Sequence, residues 1–212
     1  MIAPTQFCFV RHGETSWNSS RRLQGHVDIP LNANGVRQAQ AAARLLGGKT
    51  FDAVLSSDFA RARVTAEFIA AVRGVPVQLV TGLRERNFGV FQGLFPGEAD
   101  LRYPIEQTRL RTRQIDFVPS GGESLAQFAT TVTETIRNIA ARHAGGTVLC
   151  VTHGGVLDVI YRLATGRPLE SARDFAINNA GVSLVSHDKE VWRIDAWNDC
   201  SHLSSSRDEL PI

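Results

Sequence analysis

Cysteine is scarce in this chain of 212 residues, which contains only three. An odd and sparse set does not indicate a disulfide framework and is typical of a reducing compartment, so we expect the protein to be cytoplasmic. Cys8 and Cys150 stand within apolar runs. We therefore predict that these two thiols are buried and structural.

Long hydrophobic runs and a large charge imbalance are also missing. No apolar run approaches the ~20 residues that span a bilayer, and the first ten residues lack the features of a signal peptide, so we expect no membrane partner. The net charge of +2 is too small to indicate a nucleic-acid partner. Four of the six histidines lack the spacing that is typical of metal ligands, and we predict no catalytic metal and no cofactor. These four are His26, His143, His187 and His202.

Apolar runs and helix-spaced stripes alternate along the chain, whose hydrophobic content of 43% is ample for a core. We predict strands at 6–10, 53–55, 77–80, 147–151, 182–187 and 191–196. The last two strands should form a closing hairpin. Asn32 and Ser124 are predicted to cap helices. Repeated strand-helix units predict a three-layer α/β/α fold with a mainly parallel central sheet.

The domain organisation follows from periodicity. We predict one domain over 1–197 and a polar tail over 198–212. The segment 94–121 is the least periodic and is predicted to be a lid that sets specificity. Two roles are open for the arginines of this segment. They either contact a further anionic group of a substrate, which could be a carboxylate or a second phosphate, or they lie on solvated surface. They are Arg102, Arg109, Arg111 and Arg113. The apolar edge of the closing hairpin is compatible with a homodimer.

Two histidines stand where apolar strands end, and each precedes a glycine. His12 follows the first predicted strand and His153 follows the fourth. Ligands of open α/β sheets bind outside the carboxyl ends of the strands. If the two strands are neighbours, both histidines face one crevice, where one could attack while the other stabilises charge.

Two arginines and two predicted helix N-termini are further candidate parts of the same site. Arg11 precedes His12, and Arg61 lies in the first turn of a predicted helix. Gly154 and Gly155 open another helix after His153, and helix N-termini attract anions. Arginine donors suit phosphoryl oxygens, and a neutral imidazole is a competent nucleophile. The set predicts a site for phosphoryl transfer.

The run Arg11-His12-Gly13-Glu14-Thr15 resembles the signature of the histidine phosphatase superfamily, which includes cofactor-dependent phosphoglycerate mutases. The resemblance extends along most of the chain. The other matching motifs are Asn18, Gln24-Gly25, Leu31-Asn32, Gly35, Gln38-Ala39, Ser57-Asp58, Arg61-Ala62, Thr65-Ala66, Leu83-Arg84-Glu85-Arg86-Asn87-Phe88-Gly89, Gly122-Glu123-Ser124, Val151-Thr152-His153-Gly154-Gly155, Asn198-Asp199 and His202-Leu203.

The resemblance implies a role for each site residue. His12 would be the nucleophile that becomes phosphohistidine, and Glu85 the acid that protonates the leaving oxygen and later activates water. The phosphoryl-binding residues would be Arg11, Arg61 and His153 as a charged pocket, with Asn18 and Gln24 as neutral partners. From the residues alone, Glu85 could instead be a surface ion pair.

The expected function is a metal-independent phosphomonoesterase that acts on a small phosphorylated metabolite through phosphohistidine. The alternative is a cofactor-dependent phosphoglycerate mutase, whose glutamate motif resembles 83–89. Against it, the segment between Gly93 and Gly122 is shorter than the mutase insertion. A phosphate-binding module without turnover and a metal-dependent hydrolase with histidine ligands remain as two further classes.

Overall fold

The structure is a computed structural model that describes residues 3–72 and 74–204. In these ranges six strands form one sheet: β1 (Thr5–Arg11), β2 (Ala53–Ser56), β3 (Val77–Leu79), β4 (Thr147–Thr152), β5 (Val182–Asp188) and β6 (Val191–Asp199). The α-helices of the same ranges are α1 (Ser16–Ser19), α2 (Ala33–Leu46), α3 (Ala60–Ala71), α4 (Pro96–Arg102), α5 (Pro104–Arg111), α6 (Leu125–Arg142) and α7 (Gly154–Thr165). Single 3₁₀ turns follow β3 at Thr81–Leu83 and Gly89–Phe91.

The strand order is β3-β2-β4-β1-β5-β6. Strands β1 to β4 run parallel, and β5 and β6 add the predicted antiparallel hairpin at one edge. The predicted three-layer α/β/α fold with a mainly parallel sheet is therefore confirmed. Each predicted strand is present, with ends that differ by at most three residues.

The final strand is longer than predicted. It ends at Asp199, so the boundary of a polar tail at 198 is wrong. The backbone N–H of Asn198 donates to the Ser183 hydroxyl at 3.0 Å, and its side-chain oxygen accepts from the Asn178 N–H at 2.7 Å. These bonds satisfy the polar groups of Asn198 inside the fold. Residues 205–212 of the predicted tail lie outside the described residues.

Alternate strand residues build two cores, one on each face of the sheet. Phe7 and Phe9 of β1 pack with α6 and α7, whereas Cys8 and Val10 pack with α2 and α3. Cys150 of β4 belongs to the first core. Cys8 and Cys150 are buried and free, as predicted. Packing on both faces holds the central strands, and with them the positions of the strand ends.

The start of α2 is bound to the loop that follows β1. Asn32 caps α2, as predicted, by accepting the Gly35 N–H at 2.8 Å. The N–H of Asn32 donates to the Glu14 carbonyl at 2.9 Å, and the N–H of Glu14 donates to the Gln38 side chain at 2.8 Å. Hydrogen bonds in both directions therefore fix this loop against the first turns of the helix.

Ser124 forms the predicted capping box with Gln127 at the start of α6. The segment 94–121 contains the two short helices α4 and α5, which the sequence analysis did not predict. Each helix begins with a proline, a residue favoured at the first helical position. Leu110 and Phe117 of this segment are buried in a small third core with Phe88 and Phe91.

Gly35 is expected to tolerate no side chain. A Cβ at Gly35 would lie 2.0 Å from the Glu14 carbonyl oxygen, whereas a Cβ at Gly48 would meet nothing within 4 Å. Gly35→Ala should lower the free energy of unfolding by about 1–3 kcal/mol because backbone must move. Urea denaturation measures this loss, and Gly48→Ala is the matched control. Equal stabilities of the two variants would contradict the close approach.

Candidate active site

His12 and His153 lie side by side because β1 and β4 are neighbours. Arg11 pairs with Thr152 at the ends of these strands, and the N–H of His12 donates to the Thr152 carbonyl at 2.9 Å. The two imidazole centroids are 5.1 Å apart. The predicted juxtaposition of two strand-end histidines is present in the fold.

The tautomer of His12 follows from its partner. Its Nδ1 lies 2.7 Å from the Gly13 carbonyl oxygen, and a carbonyl can only accept, so Nδ1 carries the proton and Nε2 keeps its lone pair. Burial lowers the pKa of His12 well below its ordinary value, and the charges of Arg61 and Arg11 lower it further, against the raising effect of the Gly13 carbonyl. At neutral pH the imidazole is therefore uncharged and nucleophilic at Nε2.

The two arginines are held mainly by backbone carbonyls. Arg11 donates through Nη1 to the Ile177 carbonyl at 2.6 Å. Arg61 donates to the Gly25 carbonyl at 2.8 Å and to the Val27 carbonyl at 3.0 Å. Both side chains are almost fully buried. Nη1 of Arg61 also lies 3.9 Å from Oδ1 of the partly exposed Asp28. Both guanidinium groups line the cavity, where their charge can attract an anion.

His153 does not lie in the charged pocket where the resemblance placed it. Its Nδ1 accepts from Nε of Arg61 at 3.2 Å, which leaves Nε2 to donate to the Ser57 hydroxyl at 2.8 Å. Burial lowers the pKa of His153 well below its ordinary value, and Arg61 adds to this effect. His153 is therefore neutral, lies behind Arg61 and does not line the cavity.

At the two helix N-termini that were predicted to attract phosphate, a backbone N–H group already donates to a carboxylate. The first N–H of α3, on Ala60, donates to both oxygens of Asp28 at 2.9 and 3.0 Å. In α7, the Gly155 N–H donates to Oε2 of Glu85 at 3.0 Å. At these two positions the N–H groups therefore already have an anionic partner within the protein. Gly154 does line the cavity.

Glu85 is buried at the cavity wall and is not a surface ion pair. Its Oε1 accepts the Arg86 N–H at 2.8 Å, so each carboxyl oxygen has one backbone donor. The neighbouring Arg84 instead binds Asp58 through two bonds of 2.7 and 2.5 Å. A Cβ at Gly155 would lie 2.2 Å from Oε1 of Glu85. The glycine therefore allows the carboxyl group to reach the start of α7.

Gln24 and Asn18 differ in position although both are buried. Gln24 lines the cavity, and its side-chain oxygen lies 3.0 Å from the Thr15 hydroxyl. Asn18 is outside the lining and completes the capping box of α1 with Thr15. Asn179 joins these groups by donating to the His12 carbonyl at 3.1 Å. Asn18 thus supports the loop of His12 in this structure.

One cavity connects the groups around His12 with a second charged wall. The lining residues are Arg11, His12, Leu23, Gln24, Gly25, Arg61, Glu85, Arg86, Phe88, Leu110, Arg113, Leu125, Phe128, Gly154, Gly155, Asp158, Arg173 and Ile177. Asp158 is a lining residue that was not predicted, although a carboxylate four residues before Arg162 in an apolar helix was a detectable signal. The motif Ser57-Asp58 included Ser57 without giving it a role, and nothing in the sequence indicated Asp28 or Asn179 as partners of the site.

Two further findings concern only residues 3–72 and 74–204. No group of three or more histidine, cysteine, aspartate or glutamate side chains there is arranged to hold a metal ion. No helix within those ranges is long and apolar enough to cross a membrane.

Paired strand-end histidines, buried arginines and a nearby carboxyl group define a phosphoryl-transfer site, and comparison with known proteins agrees. Residues 7–200 match the model of the histidine phosphatase superfamily (branch 1). A metal-independent phosphoserine phosphatase of Arabidopsis thaliana is 40% identical over 204 residues, which cover 95% of this chain and 84% of the relative.

Solved structures are similar over nearly the whole fold. YhfR of Bacillus stearothermophilus has a TM-score of 0.87 and 30% identity, with 93% of this chain and 98% of that chain covered. A phosphoserine phosphatase of Entamoeba histolytica, in complex with 3-phosphoglyceric acid, has a TM-score of 0.84 and 28% identity, with coverage of 94% and 99%. The chain belongs to the histidine phosphatase superfamily. It is a phosphoric monoester hydrolase.

The buried neutral state of His12 predicts a pH-dependent stability. The folded-state pKa is lowered, so stability is full above the unfolded pKa of about 6.5 and is lost as the unfolded chain binds protons below it. Between pH 7.5 and pH 5.5, wild type should lose about 1.4 kcal/mol more free energy of unfolding than His12→Gln. Urea titrations in phosphate-free buffer measure both curves. Parallel curves would show that His12 protonates in the folded state.

Proposed function

We propose that the protein hydrolyses a small phosphorylated metabolite through a phosphohistidine intermediate on His12. The observation that carries the proposal is the buried imidazole of His12, neutral and with a lone pair at Nε2, in a cavity that Arg11 and Arg61 also line. A neutral nucleophile beside fixed positive charge suits attack on a phosphoryl group, because such transfer depends on positioning and charge stabilisation.

In the first step Nε2 of His12 attacks phosphorus and the bond from phosphorus to the ester oxygen breaks. Glu85 donates its proton to that oxygen, and the alcohol leaves. The imidazole gains positive charge while Nδ1–H keeps its bond to the Gly13 carbonyl, which stabilises the charge. In the second step water attacks phosphorus, Glu85 takes a proton from the water, and the N–P bond breaks to release phosphate and neutral His12.

Glu85 has the geometry for both proton transfers. It lines the same cavity as His12, and its two backbone bonds to Arg86 and Gly155 fix the plane of the carboxyl group. Each oxygen accepts a backbone N–H, and a carboxyl oxygen has two lone pairs, so the same group can accept these bonds and exchange a proton.

The other residues have positioning and charge roles in this proposal. Arg11 and Arg61 bind the equatorial phosphoryl oxygens, and each well-placed donor contributes roughly 3–4 kcal/mol to the transition state. His153 orients Arg61 through the bond to Nε, and Ser57 orients His153. Gln24 and Gly154 line the cavity, where they would contact the substrate. Asn18 acts through the loop of His12.

We place this activity in the cytoplasm, since the free Cys8 and Cys150 suit a reducing compartment. A homodimer through the edge strand β6 stays a prediction, which sedimentation of the purified protein checks.

His12→Ala should reduce phosphate release by roughly 10³-fold or more, because the nucleophile is lost. The assay uses p-nitrophenyl phosphate, phosphoserine, sugar phosphates and both phosphoglycerates, with EDTA present. His143→Ala is the matched control, since this partly exposed histidine stands at the far end of α6. Trapping of a ³²P-labelled, acid-labile protein species in wild type alone identifies phosphohistidine.

Three results of that assay would contradict the proposal. Activity that disappears in EDTA and returns with a divalent metal would indicate a metal-dependent hydrolase. Bisphosphate-primed conversion of 3- to 2-phosphoglycerate that outpaces phosphate release would indicate a mutase. Binding of phosphate without turnover of any ester would indicate a binding module.

The dependence of kcat/KM on pH should be bell-shaped, because His12 must be neutral and Glu85 protonated in the productive state. The acid limb should lie below pH 6.5, since the pKa of His12 is lowered by burial and by two arginines. The limbs report macroscopic values of the coupled site. Initial rates with p-nitrophenyl phosphate at constant ionic strength measure the profile. A flat profile would contradict the two assigned roles.

A further inference from the structure

His26 lies beside the active site but takes no part in the reaction steps proposed above. It follows Gln24, which lines the cavity, by two residues and is itself outside the lining. Its Nε2 lies 2.8 Å from the backbone carbonyl oxygen of Glu85. A carbonyl oxygen can only accept, so Nε2 carries a proton and donates the hydrogen bond. The imidazole therefore binds the backbone of the residue that supplies the proposed acid.

This hydrogen bond acts on the peptide unit that joins Glu85 to Arg86. The carbonyl group of that unit accepts from His26, and the N–H group of the same unit donates to Oε1 of Glu85 at 2.8 Å. A peptide unit is planar, so its carbonyl and N–H groups turn together. His26 therefore fixes the direction of an N–H group that binds the Glu85 carboxyl group.

The two hydrogen bonds also reinforce each other. Hydrogen bonds in a chain polarise one another, so a peptide whose carbonyl accepts a bond is a better N–H donor. The chain here runs from the His26 imidazole through the peptide unit to Oε1 of Glu85. Glu85 is only 9% exposed, which limits competition from water. Loss of the first bond should therefore weaken the second.

The position of His26 is itself fixed by its neighbours. Its backbone N–H donates to Oε1 of Gln92 at 2.6 Å. A Cβ at Gly25 would lie 2.2 Å from the same Gln92 oxygen, and Gly25 has a φ of 55°, a left-handed conformation that favours glycine. The imidazole packs edge-on against Phe59, with ring centroids 5.2 Å apart. Backbone and ring are both held, so the imidazole is preorganised for its bond to Glu85.

The same short segment also contacts the proposed phosphoryl site. Arg61 donates to the carbonyl groups of Gly25 and Val27, at 2.8 and 3.0 Å. These two carbonyl groups flank His26, whose imidazole donates to the Glu85 carbonyl. The segment therefore links an arginine that is proposed to bind the phosphoryl group with the proposed acid. The position of the acid relative to that group depends on this link.

We propose that His26 is a positioning residue for the acid of the reaction. It orients the peptide unit after Glu85 and, through that unit, the carboxyl group that protonates the leaving oxygen. The inference rests on the proposed function, which gives Glu85 this proton transfer. His26 neither contacts the substrate nor moves a proton.

The acidity of the leaving group tests this role. A 2,4-dinitrophenolate leaves without a proton, whereas phenolate and an alkoxide need the acid. The assay measures kcat/KM, which covers the steps up to cleavage of the ester bond, for 2,4-dinitrophenyl, p-nitrophenyl and phenyl phosphate and for glycerol 3-phosphate. His26→Leu should lose roughly 10- to 100-fold with the phenyl and glycerol esters and less than about threefold with the dinitrophenyl ester.

Three further variants calibrate this loss. His26→Gln should restore part of it, because the amide nitrogen of glutamine can replace Nε2 as the donor. Glu85→Gln removes the acid and should show the same dependence on the leaving group with a larger amplitude. His143→Leu is the matched control, since it removes a histidine at the far end of α6, and it should keep the wild-type values for every ester.

These variants distinguish failure of the positioning role from failure of the proposed function. No loss in folded His26→Leu, or an equal loss with every ester, overturns the positioning role and leaves the phosphatase activity standing. A loss in Glu85→Gln that is equal for every ester overturns the acid and with it the role of His26. No hydrolysis of any ester by wild type overturns the proposed function as well.

Nitrogen NMR of the wild-type protein tests the same hydrogen bond without a substitution. The ¹⁵N shifts of the His26 imidazole should show a proton on Nε2, and an unprotonated Nε2 would overturn the proposal. If His26→Leu does not fold by circular dichroism, His26→Asn takes its place in the assay, because its amide is too short to reach the Glu85 carbonyl. It should show the same dependence on the leaving group, and an equal loss with every ester would overturn the proposal.

Discussion

The parallel pairing of β1 with β4 is the interaction on which the site depends. These strands are the two central members of the sheet, and both of their faces are covered by helices. Their register fixes the ends opposite each other at Arg11 and Thr152. His12 and His153 follow these ends directly, so the strand register also fixes the distance between them. The ordinary packing of an apolar sheet therefore supplies the precision that catalysis needs.

Buried positive charge is the second constraint, and it explains the state of the histidines. Arg11 and Arg61 are buried beside the two histidines, and the charges of both act on them. Burial disfavours imidazolium and the positive field of the arginines adds to this effect, so the pKa of both His12 and His153 is lowered. The same field attracts a phosphoryl dianion. In the proposed mechanism, one electrostatic arrangement therefore keeps His12 neutral and attracts the phosphoryl group that it attacks.

The sequence predicted the parts of the site that depend on local pattern. Strand ends, the Asn32 and Ser124 caps and the convergence of His12 with His153 follow from periodicity and from turn residues. The pattern places Ser57 after a strand but does not indicate that its hydroxyl contacts His153, and Asn179 lies in no predicted element. Their partners are 96 and 167 residues away in the chain. Carboxylates on the helix starts were missed for the same reason. The helices α4 and α5 are too short for periodicity to reveal.

Gly155 illustrates how tightly two distant parts of the chain are linked. Its missing side chain leaves the space that Oε1 of Glu85 occupies, and its N–H binds the other oxygen of the same carboxyl group. A larger residue at position 155 would therefore push the carboxyl group of Glu85 away from the start of α7. The constraint runs in one direction, because glycine at 155 is compatible with any residue at 85.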